Sequence, residues 1–325
     1  MSVLALRLRT IATRAARLLL VFFVVTFFTF FLLDQAPTDP AVIRAGLNPT
    51  PEVLEEIRAE LGLNDSLVVR YFRWVGDAVR FDFGDSYTVQ GFTTWDLISE
   101  ALPNTLELMV LAEIMAIGMA VPLAIRSARR PGGLVDRVSS ASAFGLLALP
   151  SFVLGIYLAF VFGVRLGWFP TIVDNLPSIW SDPFGNLRQM FLPSLTLALN
   201  LVAVYLRLLR GDMLDTLQQD YVMLAQARGL SERRIMWRHV LRPSSLNFTT
   251  AVGLNVAGLI GGAFIVEILF AINGIGKLAI FSITVEDYPV VAAVVALLTV
   301  SYVMVNLAID LFYAVLDPRI RHGAR

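Results

Sequence analysis

The sequence predicts an all-α polytopic membrane protein with six transmembrane helices, and three observations predict it. Hydrophobic residues make up 57% of the 325 and charged residues only 16%, with a mean hydropathy of +0.70, whereas soluble domains carry roughly 25% charged residues. Six apolar runs each approach the length of about 20 residues that a helix needs to cross the hydrocarbon core. Arginines gather in alternate connections between those runs, the asymmetry that sets orientation in a membrane.

The spans read as Ala16–Leu33, Pro103–Ile125, Val138–Gly163, Phe191–Leu209, Asn247–Phe270 and Pro289–Val315. The first follows Arg7, Arg9, Arg14 and Arg17, as a signal peptide would, but its apolar run is long. No small-x-small cleavage site follows it, so it reads as an uncleaved anchor. The second and fourth spans open on Leu-Pro, and proline suits the first turn of a helix. Residues 1–33 then form a cytoplasmic arm and first helix, 34–102 an extracytoplasmic loop subdomain, and 103–325 a five-helix core with a cytoplasmic loop over 211–246.

Orientation follows from the charges. The connection 126–137 has four arginines and one acid, and 207–245 has seven arginines and four acids. Arg319, Arg321 and Arg325 add to the C-terminal tail. By contrast 34–100 holds five arginines against twelve acids, and 164–190 two against two. Both termini and the 207–245 loop are expected in the cytoplasm of a bacterial cell, with the protein in its inner membrane. Zero net charge argues against nucleic acid as a partner.

The loop 34–102 is too long and too patterned for a plain connection. Thr50-Pro51-Glu52 is a helix start, Val53, Leu54, Ile57 and Leu61 repeat at helical spacing, and Gly62 can stop the helix. A second amphipathic stretch carries Leu67, Tyr71, Trp74, Val75 and Val79, and residues 81–86 read as a turn. Two readings stand: a small cap on the ends of the spans, or an acidic docking platform for an external partner.

Residues 220–243 read DYVMLAQARGLSERRIMWRHVLRP, two short amphipathic helices meeting at Gly229. Tyr221, Leu224 and Ala225 lie on the first, and Ile235, Met236 and Val240 on the second. An apolar-faced, arginine-rich hairpin in the cytoplasm implies something that docks on it. Gly229 can take the left-handed conformation that ends one helix, and Ser231 can cap the next.

Catalytic constellations are missing. With no cysteine there is no disulfide framework and no thiolate metal site. Gly274-Ile275-Gly276-Lys277 resembles the end of a phosphate loop, but Ala271 and Leu278 occupy the positions that need Gly and Ser/Thr. His239 and His322 lack partners at metal-ligand spacing. Among polar residues inside the spans, Glu113, Asn255 and Asp310 are candidates for pathway lining. Structural pairing is the alternative for Glu113, and pairing with inner-leaflet arginine for Asp310. Gly258, Gly261 and Gly262 read as a close-packing helix face.

Residues along nearly the whole chain carry a resemblance. They include Glu60-Leu61-Gly62-Leu63, Leu102-Pro103-Asn104-Thr105-Leu106-Glu107-Leu108, Pro150-Ser151-Phe152 and Leu166-Gly167-Trp168-Phe169-Pro170. Others are Leu192-Pro193-Ser194-Leu195-Thr196-Leu197, Arg210-Gly211-Asp212-Met213, Asp287-Tyr288-Pro289-Val290 and Leu316-Asp317-Pro318-Arg319. The chain resembles the permease subunit of binding-protein-dependent ABC importers, in particular the dipeptide and oligopeptide class. Aligning the glycine of that family's EAA loop on Gly229 places its third residue at Ala225 and its leucine at Leu241. Met223 and Leu224 stand in place of Glu-Ala, and His239 and Arg242 in place of Ile and Pro, the latter as in the peptide class.

The resemblance implies a non-catalytic subunit whose hairpin couples it to separate ATPases. Tyr221, Leu224, Ala225, Arg228, Gly229, Leu230, Ser231, Ile235, His239 and Leu241 carry that role. It also implies a second homologous permease, two cytoplasmic ATPase subunits that bind ATP and Mg, an extracytoplasmic solute-binding protein, and no cofactor on this chain. Short peptides are the implied solute, with nickel or glutathione as alternatives. An ion-coupled secondary transporter using Glu113 and Asp310 is the rival reading, and it calls for inverted repeats.

Overall fold

The structure, a computed structural model, describes residues 3–46 and 49–316, with side chains over 16–309 apart from 47, 48 and 257. The side chains of Asp310 and of the arginines before Ala16, and the whole basic tail after Leu316, lie outside the described residues. No strand forms among the described residues beyond a single bridge between Asp85 and Thr93. Among the described residues four helices are long and apolar enough to cross a membrane, and up to six spans result if each of two bent helix pairs counts as one. The chain divides into two compact units, Met1–Pro103 with Asn273–Met304, and Asn104–Ile272 with Val305–Arg325.

The first unit holds α1 (Val3–Asp34), α2 (Pro40–Ala45), α3 (Pro51–Glu60), α4 (Leu67–Ala78), the start of α5 (Thr94–Arg129), α12 (Ile275–Thr284) and most of α13 (Tyr288–Leu316). Sequence reading passed over α2, although Asp39 caps it through the Ala41 N–H at 2.9 Å and Pro40 fills its first turn. Burial works against the charge of Asp39, but the Ala41 N–H and the Arg58 guanidinium outweigh it and hold the carboxyl below the usual carboxylate range. The Thr50-Pro51 start of α3 is present, with Thr50 accepting from the Val53 N–H at 3.5 Å, and Gly62 (φ +63°) ends the helix.

Helix α4 presses Tyr71 against α1, where its hydroxyl shares a 2.8 Å hydrogen bond with Thr26 and its ring meets Phe27 edge-on. The 81–86 turn is held by the buried Asp287, which accepts from the hydroxyls of Ser86 and Thr88 and the N–H of Tyr87. A small apolar core of Ile98, Ala101, Ile275, Ala279, Val290, Ala293 and Val294 joins α5, α12 and α13 within this unit.

The second unit is arranged around α8 (Pro183–Leu217), with α6 (Leu134–Ala148), α7 (Ser151–Leu158) and α11 (Leu241–Leu269) packed against it. Two thirds (67%) of the apolar window of α8 is enclosed, against 39% for α5, so α8 is the central member. α5 offers this core Ala112, Ala116, Ala120 and Ala124, all fully buried at four-residue spacing, the small-residue face that lets membrane helices approach.

Three span expectations are corrected. Pro103 and Pro193 do not open their helices but lie inside α5 and α8. Stronger start signals precede both. Thr93 and Asp96 form a reciprocal capping box at 3.0 and 3.2 Å. Asp182-Pro183 caps α8 through the Gly185 N–H at 2.9 Å. The third expected span is broken: α6 and the helix from Ser151 to Arg165 meet at 109°. Leu149 is extended (φ −97°, ψ 128°), as a residue before proline is driven to be. Close packing at Gly258 and Gly262 is not found among the described residues. A Cβ on Gly258 would meet nothing within 4 Å, and one on Gly262 would make an ordinary 3.7 Å contact with Leu197.

Tight approaches lie instead at Gly253 on α11, where a Cβ would fall 2.8 Å from Ile309 Cγ1, and at Gly155 on α7, where a Cβ would fall 2.6 Å from Leu269 Cδ2 and 3.0 Å from the stiff Thr196 side chain. Gly155→Ala should therefore lower stability by about 1–3 kcal/mol, the usual cost of overpacking. A denaturation midpoint in detergent equal to wild type would show that this crossing is loose.

Candidate functional site

The hairpin is built as its sequence dictates, but it faces differently from expectation. Helix α9 (Asp220–Ala227) ends at Arg228, and Gly229 follows at φ +73°. The Gly229 N–H donates to Gln226 O at 2.9 Å and the Leu230 N–H to Ala225 O at 3.3 Å. That pair of bonds is the Schellman arrangement, which ties up the last carbonyls of a helix and needs a left-handed residue between them. Nothing lies within 4 Å of where a Gly229 Cβ would be, so glycine is required by the backbone alone. Ser231 starts α10 (Glu232–Arg234) in the extended conformation of a cap, but its side chain makes no capping hydrogen bond. Its carbonyl accepts from the Ile235 N–H at 3.0 Å instead. The chain then winds through a wider i→i+5 stretch, Ile235–Val240, directly into α11.

Burial divides the expected coupling residues in two. Val222, Ala225, Ile235, Met236 and Val240 are 0–5% exposed, packed into the core of the second unit. Leu230 and Leu241 pack partly against the same core, and His239 is half-buried. The apolar face expected on Ile235, Met236 and Val240 is therefore spent on the protein itself. What remains exposed is Tyr221, Met223, Leu224 and Trp237, and Arg228, Arg233, Arg234 and Arg238 are exposed as well. Ser231, Arg233, Arg234, Trp237 and Arg238 line one open depression. Sequence reading missed Met223 and Trp237 as outward residues, because periodicity gives a face but not which side that face turns to.

Three further contacts hold this region in place. Arg129, at the last turn of α5, donates from Nε and Nη2 to the two carboxylate oxygens of Glu232, both at 2.8 Å. Arg210 on α8 pairs with the buried Asp136, which also accepts from the Gly132 N–H at 2.8 Å. Ser244 on α11 shares a 2.9 Å hydrogen bond with Thr216 and donates to Asp212 O at 3.1 Å. None of these partnerships has a signal in local spacing.

Inside the spans, Glu113 meets Tyr205, whose hydroxyl donates to Glu113 Oε1 at 2.7 Å. Glu113 Oε2 is buried with no partner among the described residues. Tyr205 is fully buried and meets Phe248 of α11 edge-on, 5.4 Å between ring centres. Asn255 turns its amide back to Ala251 O on its own helix at 2.7 Å. The structure therefore brings Glu113 to Tyr205 of α8, which in turn meets α11 through Phe248, while the hydrogen bond of Asn255 stays on its own helix. Residues 274–277, which mimic a phosphate loop, start the short apolar α12 with Ile275 and Gly276 buried. Among the described residues no cluster of acids and histidines is arranged to hold a metal ion.

Comparison with known proteins agrees with this architecture. Residues 7–109 match the N-terminal part of the binding-protein-dependent transport system membrane components, and residues 120–322 match the family described as binding-protein-dependent transport system inner membrane component. The chain is 36% identical over 298 residues to the oligopeptide transport system permease protein AppB of Bacillus subtilis, covering 92% of this chain and 94% of that one. A probable peptide ABC transporter permease of Sinorhizobium fredii is 36% identical over 91% of this chain and 93% of its own length. The glutathione transport system permease protein GsiC of Shigella flexneri is 32% identical over 92% and 94%.

Among solved structures, an inward-facing MetNI methionine ABC transporter matches with a TM-score of 0.56 at 14% identity, covering 68% of this chain and 96% of that one. An amino acid ABC transporter crystallised with histidines matches with a TM-score of 0.53 at 17% identity, covering 68% and 94%. The fold is thus shared with ABC transporter membrane subunits. The two family matches together span almost the whole chain, and the chain belongs to the inner membrane components of binding-protein-dependent transport systems.

Proposed function

We propose that this chain is the permease subunit of an ABC importer for short peptides, forming half of the pathway and driven by ATPases that dock on the 220–243 hairpin. The carrying observation is the hairpin itself. Its inner residues are bound into the same core as the spans, while Tyr221, Met223, Leu224 and Trp237 stay exposed and Trp237 shares one depression with Arg233, Arg234 and Arg238. A surface of exposed aromatic and apolar side chains together with arginines is what a protein partner buries. The family implies an ATPase and a binding protein as partners.

The finer picture has two ATPases below, a solute-binding protein on the 34–102 side, both termini cytoplasmic, and a second homologous permease alongside. Gly258 and Gly261 support the last of these, because among the described residues nothing lies within 4 Å of a Cβ at either. That leaves a small-residue face on α11 for a second chain to meet. The peptide reading rests on the names of the relatives above. The glutathione relative favours a second solute of the same chemistry, since glutathione is itself a peptide.

Uptake with the cognate binding protein, across a panel of dipeptides and tripeptides, tests the reading directly. A purified chain that never brings down an ATPase would sink it. Gly229→Val forces a β-branched residue into the left-handed region, at about 1–2 kcal/mol. It should reduce uptake roughly tenfold with membrane insertion and ATP hydrolysis retained, and unchanged uptake would remove the hairpin from coupling. Arg129→Glu and Glu232→Arg should each reduce uptake only a few-fold, because the pair is exposed and screened, and the double exchange should restore it. Glu113→Gln keeps the shape of the side chain and removes its charge. If Glu113 lines the pathway, solute preference or the pH profile of uptake changes, and identical profiles assign it to packing.

A further inference from the structure

We propose that a cleft in the first unit is a binding site for a phospholipid headgroup that carries a primary ammonium beside its phosphate, as in phosphatidylethanolamine. The cleft has a volume of about 350 Å³, within the range of small-ligand sites. Its position points to lipid rather than to a dissolved molecule. Phe30 and Leu33, the last apolar residues of α1, form one part of the wall, and Asp34 next to them is the first charged residue after the span. Tyr288 and Pro289, which open the apolar α13, form another part. The Tyr288 hydroxyl donates to Thr38 O at 3.1 Å and holds the two span ends together. The cleft thus sits where two spans leave the hydrocarbon, with tryptophan and tyrosine in its wall, as at a membrane–water interface.

The polar groups match both charges of such a headgroup. For the phosphate there are two sets of donors. Trp74 Nε1 is buried without a partner, which an N–H does not tolerate cheaply. Arg70 gives Nη1 to Asp34 at 2.6 Å, and its guanidinium lies over the Phe30 ring at 5.7 Å. A guanidinium has five N–H groups, so further donors remain. The charges of Arg44 and Arg70 also converge on Tyr87, whose hydroxyl burial pushes up to about 12 against their pull.

For the ammonium there are Asp77 and Asp82. Among the described residues no side chain donates to Asp77, and Asp82 accepts only the Gly84 N–H at 3.1 Å. Five acids and three arginines line the cleft in all. This surplus of negative charge disfavours an anionic headgroup, and carboxylates reward an ammonium with N–H groups over a trimethylated one.

Native mass spectrometry of the full chain, with whatever subunits accompany it from detergent, tests the assignment. The protein is exposed in turn to phosphatidylethanolamine, phosphatidylcholine and phosphatidylglycerol, and to soluble glycerophosphoethanolamine. Phosphatidylethanolamine should be retained in preference to the other two lipids. Trp74→Phe, which keeps an aromatic ring but removes the indole N–H together with its five-membered ring, and Asp77→Asn, which keeps the side-chain shape and removes its charge, should each weaken retention about tenfold, the scale of one lost charge-assisted hydrogen bond. The unfolding midpoint of Asp77→Asn without added lipid is expected to match wild type, which separates headgroup binding from folding, whereas Trp74→Phe also gives up ring contacts with Phe30 and Tyr71. Equal retention of phosphatidylglycerol or phosphatidylcholine overturns the proposal, and so does retention unchanged in both variants. Glycerophosphoethanolamine held as firmly as the lipid overturns it too, by making the site one for a dissolved zwitterion.

Discussion

Hydrocarbon leaves the backbone no water to bond with, and the second unit answers by enclosing its central helix. Pro193 gives α8 one N–H fewer to donate, and the helix is enclosed by its neighbours around that point. Leu192, Ala198, Ala203, Tyr205 and Leu209 are buried to 4% exposure or less. The other elements of this unit are positioned by what they find on α8. Gly155 permits α7 to approach Thr196, Asp136 at the start of α6 finds Arg210, and Ser244 of α11 finds Thr216. The hairpin follows α8 in the chain and inherits its placement from these contacts.

Such an arrangement explains why the hairpin's inner residues are apolar. Val222, Ala225, Ile235, Met236 and Val240 weld it to the spans, so a force on its outer surface is carried inward through packed side chains. The outer residues are fewer and differently composed. Trp237 and the arginines around it offer large contact area and rigid donors, the side chains that most often anchor protein interfaces.

Features that depend on a few neighbouring residues were legible in the sequence. The Thr50-Pro51 start, the Gly62 stop and the Gly229 turn are all decided within five or six residues, and each forms through the bonds its residue types suggest. The capping box at Thr93 and Asp96 and the Asp182-Pro183 cap were equally local, but apolar runs drew the expected helix starts to the later prolines. Other features were not legible, because they depend on partners far away in the chain. Glu113 and Tyr205 are 92 residues apart, Arg129 and Glu232 are 103 apart, and Ser86 and Asp287 are 201 apart. The inward turn of Ile235 and Met236 belongs to this second group, since an amphipathic pattern is silent on whether its apolar side meets the same chain or another.

The two arms of the hairpin are mechanically unequal. The first is separated from α8 by Gln218 and Gln219 alone, which adopt non-helical or terminal conformations and form a short joint. The second has no joint: from Glu232 the winding continues through Ile235–Val240 and on along α11 to a 50° bend near Gly258. A rotation imposed on the second arm is therefore a rotation of the span, as a crank turns its shaft, while the first arm acts as the bearing. Beyond the bend the segment Gly258–Leu269 lies off that axis, so the same rotation would swing it sideways, by more the farther it lies from the bend.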